Sequence, residues 1–181
     1  KLSGGIFEDM FGGLGGQILY KPFDRNFNIS FEGFYVKQRG YDRAFKFKKY
    51  KTTTGHLNFS YLFPLGIESN ISFGRYLAKD DGYTVDLSRR TKSGFKAGIY
   101  FTRTNISASQ FGEGSFDKGL FFKVPFNIFA GRNTRGVFES RLRPIQRDGG
   151  QRLEGFSGNI WYDLRGLRYD ALTENKWRMK P

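Results

Sequence analysis

The sequence predicts an all-β fold of antiparallel strands, and three observations carry that reading. Apolar and polar residues alternate with a period close to two through successive segments. Short connections rich in Gly, Pro and Asp separate those segments. The composition suits pleated surfaces and tight turns: of 181 residues, 21 are Phe, 10 are Tyr and 24 are Gly. Aromatic side chains favour half-buried strands, and glycine at this density punctuates many turns.

The elements follow in order. "FGGLGGQILY" (11–20) opens on glycines that lead into a β-like run. In "FNISFEGFY" (27–35), Phe27, Ile29, Phe31 and Tyr35 share one face, and Asn28, Ser30 and Glu32 the other. The basic link "KQRGYDRAFKFKKYKTTTG" (37–55) is either an extended loop or a partly ordered strand pair. "HLNFSYLF" (56–63) sets Leu57, Phe59, Tyr61 and Phe63 against His56, Asn58 and Ser60. "IESNISFGRY" (67–76) sets Ile67, Ile71 and Phe73 against Glu68, Asn70, Ser72 and Gly74. "YTVDLSRR" (83–90) opposes Tyr83, Val85 and Leu87 to Thr84, Asp86, Ser88 and Arg90. "FKAGIYFTR" (95–103) opposes Phe95, Ala97, Ile99 and Phe101 to Lys96, Gly98, Tyr100 and Thr102. "LFFKVPF" (120–126) aligns Leu120, Phe122, Val124 and Phe126.

Beyond about residue 130 the alternation fades, leaving one short strand around Gly136–Leu142 before Pro144. Residues 1–153 therefore form the strand-bearing portion, and 154–181 a final strand, a short helix or a tail. The connections 21–26, 63–66, 78–82, 91–94 and 112–119 are too short for the helical crossovers of a parallel sheet, so neighbours run antiparallel.

Charge points to acidic partners. Lys and Arg number 30 against 17 Asp and Glu, a net +13. Nucleic acid, anionic lipid head groups and acidic polysaccharide all fit that excess. Cysteine is absent, which excludes a disulfide scaffold, thiolate zinc sites and a cysteine nucleophile. No apolar run approaches the ~18 residues of a transmembrane helix, while a membrane barrel stays allowed because half of each strand faces water. The opening "KLSGGIFEDMFGG" has no basic stretch followed by an apolar one, so the expectation is a cytosolic protein or a piece of a longer exported precursor.

Catalytic chemistry finds little support. With one histidine, His56, and no cysteine, His/Cys metal sites and a Ser–His–Asp triad are hard to assemble, so His56 reads as a polar wall residue. The acidic pairs Glu8/Asp9, Asp80/Asp81 and Glu113/Asp117 all lie in or beside turns, where carboxylates are common. "FGEGSFDKG" (111–119) has the glycine spacing of a phosphate loop, but a strand follows it where a helix N-terminus is needed. It reads as a hairpin connection. The N-x-S matches at Asn28, Asn58 and Asn70 lie mid-strand and reflect alternation, whereas glycosylation acceptors sit on loops. No catalytic residue, metal or cofactor is assigned. "YDRAFKFKKYK" (41–51) interleaves cations and aromatics, which suits base stacking with phosphate contact, or a loop on lipopolysaccharide phosphates or an anionic sugar chain.

The face that is buried decides the architecture. A soluble sandwich would pack the apolar faces together. An outer-membrane barrel would turn them to lipid and line its lumen with the polar ones. Alternation permits both.

Several phrases in this order, "FEDMFGGLGGQILYKPFD", "YVKQRGYD", "YKTTTGHLNFSY", "FGRYLAKDDGYTVDLSRR", "SGFKAGIYFTRTNIS", "FGEGSFDKGLFFKVPF" and "LRPIQRDGGQRL", resemble the YjbH/GfcD-type family of bacterial outer-membrane proteins of exopolysaccharide and group 4 capsule production. The resemblance spans about residues 5–153. It implies an antiparallel up-and-down β-barrel of outer-membrane type, or part of one, that assists export or assembly of a surface polysaccharide without enzymatic activity. Family members are longer and carry an export signal, often of lipoprotein type, which would make this chain a C-terminal portion. Its implied partners are outer-membrane lipid and lipopolysaccharide, an anionic polysaccharide and other polysaccharide-export proteins, with no nucleic acid. Within such a barrel, side-chain parity nominates Glu32, Asn58, Asn70, Asp86, Arg90, Lys96 and Tyr100 as lumen residues for glycan contact. The competing expectation is a soluble β-sandwich or barrel that binds an anionic glycan or nucleic acid.

Overall fold

A computed structural model describes residues 1–42, 45–91, 93–107, 116–126, 129, 137–142, 149–153, 160–164 and 176. Nine strands run in one sheet in chain order: β1 (Leu2–Glu8), β2 (Phe11–Tyr20), β3 (Phe27–Arg39), β4 (Phe47–Leu62), β5 (Ile67–Arg75), β6 (Asp81–Arg90), β7 (Lys96–Thr104), β8 (Asp117–Pro125) and β9 (Val137–Leu142). Every neighbouring pair is antiparallel, so the sheet is an up-and-down meander. Among the described residues β1 and β9 are not paired with each other, so the sheet is not closed into a barrel.

The basic link resolves into a strand pair. Lys37 faces Lys51 in register, and a bulge then brings Arg39 opposite Phe47. Gly40 N–H donates to the Lys46 carbonyl at 2.8 Å and closes the turn. Aromatic and threonine residues after Phe47 favour the pleat strongly enough to extend β4 to 16 residues. The connection Phe63–Gly66 turns on Leu65 and Gly66, at φ 64° and 74°. A Cβ on Gly66 would come 2.3 Å from the Arg90 carbonyl oxygen, so only glycine fits there. Of the expected hairpin connection 112–119, residues 112–115 lie outside the described residues, and β8 begins at Asp117.

The two faces of the sheet separate cleanly. Ile29, Phe31, Tyr35, Leu57, Phe59, Phe73, Leu87, Ile99 and Leu120 point outward and are exposed. Asn28, Ser30, Glu32, Thr52, Thr54, His56, Asn58, Ser72, Thr84, Ser88 and Thr102 point inward and are buried. A single sheet can bury one face only by wrapping round it. From β4 to β7 the polar parity is thus the interior, the reverse of a soluble sandwich. Aromatic contacts run along the outside: Phe73 lies 6.2 Å from Tyr83, and Tyr83 6.1 Å from Phe101, each across a strand pair.

The interior is not polar throughout. Phe34 and Val36 carry the inward parity of β3 and join Phe7, Leu77 and Leu153 in an apolar cluster against which Phe11 packs. Phe34 meets Phe7 edge to face at 5.5 Å. Gly15 lies opposite Phe34 on β2, and a Cβ there would fall 2.1 Å from the Phe34 ring. Beyond the strands, Ile160–Leu164 forms a single helical turn, α1, with Ile160 and Trp161 buried.

Phe34 is 2% exposed and Phe31, on the opposite face, 59%. Phe34→Ala should therefore cost about 3–5 kcal/mol through the cavity it leaves. Phe31→Ala should cost much less, and denaturant titration of the full-length protein measures both.

Candidate functional site

Register assembles the inner face into rows. Glu32 lies opposite His56, and Gln17 opposite Glu32. A second row runs Ser30, Asn58, Ser72, Thr84, Thr102 and Asp117 across six strands, and a third runs Asn28, Ser60, Asn70, Asp86 and Tyr100. Each row exists because inward side chains of antiparallel neighbours meet directly across the ladder.

Hydrogen bonds tie the rows together. Asn58 Nδ2 donates to Ser30 Oγ at 3.2 Å, and Ser72 Oγ donates to Asn58 Oδ1 at 2.7 Å. Ser60 Oγ donates to Asn70 Oδ1 at 2.9 Å. Asn70 Nδ2 reaches both Ser72 Oγ and Asp86 Oδ2 at 3.3 Å. The hydroxyls of Tyr76, Thr84 and Thr102 form a chain with spacings of 2.6 and 2.8 Å. Burial pushes the Tyr76 phenol up to about 12, so it remains a neutral hydrogen-bonding group at physiological pH.

Several charged groups on this face are paired. Glu32 accepts from Gln17 Nε2 at 2.8 Å, and His56 Nδ1 lies 3.3 Å from its other oxygen. Glu68 accepts from Lys96 Nζ at 3.2 Å. Lys123 pairs with Glu139 at 2.8 Å, and the Arg141 guanidinium stacks 4.6 Å above the Tyr100 ring. Tyr100 in turn donates to Asp117 at 3.4 Å.

The structure brings all seven residues nominated by parity to this one face. Glu32, Asn58, Lys96 and Tyr100 are buried, while Asn70, Asp86 and Arg90 are half-buried. Asn58, Asn70 and Asp86 belong to one connected hydrogen-bond network; Lys96 lies opposite Arg90 across the β6–β7 ladder.

Three residues that matter here lay beyond the reach of parity. Arg152, outside any strand, donates through Nη2 to Glu32 Oε1 at 2.8 Å and Asn58 Oδ1 at 3.0 Å, and through Nη1 to Ser72 Oγ at 3.0 Å. Trp161 on α1 donates Nε1–H to Glu68 Oε1 at 2.9 Å. Asp80 accepts from the Gly150 amide at 2.9 Å and so fixes the approach of this segment. The Gly149–Gly150 turn was the only local signal in the sequence that the chain changes direction there. The arrangement can offer replaceable hydrogen bonds and fixed charges to a polar ligand.

Comparisons with known proteins place the chain. A family model described as exopolysaccharide biosynthesis protein YbjH matches residues 1–158. The lipoprotein YjbH of Escherichia coli (strain K12) is 40% identical over 158 residues, which cover 84% of this chain and 23% of that relative. The chain thus spans about a quarter of the length of the curated relative it matches. No solved structure matches it.

The Glu68 and Lys96 side chains are each 4% exposed. Glu68→Ala removes the carboxylate that Lys96 and Trp161 share, and it should cost about 3–5 kcal/mol. Glu68→Gln combined with Lys96→Met should recover most of that loss, read as denaturation midpoints of the full-length variants in micelles.

Proposed function

We propose, from the premise that the chain belongs to the YjbH exopolysaccharide biosynthesis family, that its sheet is a segment of an outer-membrane β-barrel. In this reading the inner face handles an anionic exopolysaccharide during export or assembly and makes no covalent change to it. One observation carries the proposal: along the central strands β4 to β7 the apolar parity is turned outward and the polar parity inward. Water would penalise that outer face, and hydrocarbon would not. The strands β5 to β8, at 9 or 10 residues, have the length of tilted membrane strands, ~9–11. The lipoprotein name of the relative supports an envelope location.

The inner face suits a sugar chain. Amide and hydroxyl groups in cross-strand rows give hydrogen bonds that hydroxyls of a passing polymer can replace one by one. Arg90 and the Tyr100-stacked Arg141 supply positive potential for acidic sugars, while Lys96 and Lys123 are held in ion pairs. Other export proteins would deliver and receive the polymer.

The outer rim suits lipopolysaccharide. Tyr35 ends the apolar outward parity of β3, and Lys37 follows it on the same face, directly opposite Lys51. Like charges so placed repel unless an anion lies between them. A head-group phosphate at that height fits the need.

Two measurements test the reading. The full-length protein should fractionate with the outer membrane and shift its gel mobility on heating, and Phe59→Lys should reduce the folded form by about 2–4 kcal/mol if Phe59 lies near the bilayer midplane. A protein that stays soluble without detergent would overturn the membrane assignment. Asn70→Leu with Arg90→Glu should lower secreted exopolysaccharide several-fold while membrane assembly is retained; unchanged secretion would remove the inner face from the polymer's path.

A further inference from the structure

Residues 149–153 and α1 lie across the inner face instead of extending the sheet. The segment is fastened at several points. Gly150 N–H bonds Asp80 Oδ2 at 2.9 Å, and Leu77 N–H bonds the Gln151 carbonyl at 2.9 Å. Leu153, 2% exposed, sits in the cluster with Phe7, Phe34, Val36 and Leu77. Between these anchors the Arg152 side chain spans β3, β4 and β5 through Glu32, Asn58 and Ser72. Trp161 reaches Glu68 on β5.

We propose that residues 149–153 together with Trp161 form an internal strap that blocks the polymer path in this state, and that an anionic polymer releases it by exchanging for Glu32 as the partner of Arg152. The inference rests on the polysaccharide-handling reading of the inner face and adds its regulation. Arg152 uses the same amide and hydroxyl groups that a glycan would need, so strap and polymer cannot both occupy Asn58 and Ser72. The exchange is a swap of like for like. A carboxylate or phosphate of the polymer takes the guanidinium bidentately, and polymer hydroxyls take over at Asn58 and Ser72. Glu32 keeps the Gln17 amide at 2.8 Å when Arg152 leaves, which lessens the cost of uncovering its carboxylate. A neutral polymer could satisfy the hydroxyls and amide but would offer the guanidinium nothing in place of Glu32. The strap therefore selects for acidic chains.

A reversible lock tests this in the full-length protein. The Leu77 N–H bond to the Gln151 carbonyl puts the two backbones in direct contact and makes this pair the place to engineer a disulfide; these 181 residues themselves hold no cysteine. Leu77→Cys with Gln151→Cys should secrete several-fold less exopolysaccharide when oxidised than the same variant when reduced, so that any cost of the substitutions cancels. In planar bilayers, Arg152→Ala should raise the conductance of the purified protein several-fold, with Arg152→Lys in between because one ammonium cannot span three partners. Equal secretion in the two redox states, or an Arg152→Ala conductance equal to that of the parent, would overturn the strap while leaving the membrane reading intact. No conductance and no membrane insertion in any form would instead sink the polysaccharide-handling reading, and the strap with it.

Discussion

The interior of this sheet is held together by pairing: most polar side chains turned away from bulk water meet a partner, with Asn28 among the exceptions. A sheet whose inward residues are Asn, Ser, Thr, Glu and Lys has no large apolar core to hold it together. Cohesion must come from the ladder itself and from bonds between rows. Register is therefore more than geometry here. A slip of one residue at β3 would carry Glu32 to the outside and Phe31 to the inside, and the pairings of Glu32 with Gln17 and His56 and of Ser30 with Asn58 would be lost. The small apolar cluster of Phe7, Phe34, Val36, Leu77 and Leu153 adds the packing that the rows lack, at the end of the interior where β1 to β3 meet the strap.

Much of this was legible in the sequence, for a physical reason. Alternation is a local property, so the faces of β3 to β8 could be read residue by residue, and the seven nominated side chains do share one face. Which face is inside is not local. It depends on whether the apolar parity meets a second sheet or lipid, and Phe31 opposite Asn58's neighbours looks the same in either case. Phe34 and Val36 defeated the simple pattern because Gly33 breaks the outward run and two apolar residues then fall on the inward parity. Arg152 was out of reach altogether. Its partners lie 80 to 120 residues earlier, and no periodicity links a side chain in an irregular segment to rows on three strands.

Family membership and structure constrain each other. The family describes exopolysaccharide biosynthesis, and the relative of known length is about four times longer than the matched segment. That leaves the activity of the whole protein to be assembled from more than this sheet. What this sheet contributes is a polar wall whose cations are held by Glu68, Glu139 and the Tyr100 ring.

The β1–β2 hairpin has a consequence for assembly order. Its two strands carry six glycines between them, at 4, 5, 12, 13, 15 and 16. Strands so poor in side chains have little of their own to fix an alignment. The features that do fix it belong largely to β3: Phe34 occupies the space over Gly15 and meets Phe7, and Glu32 captures Gln17. The hairpin is thus templated, free to slide until β3 is in place and then clamped at two points. It precedes β3 in the chain, but its alignment is settled only after that of β3.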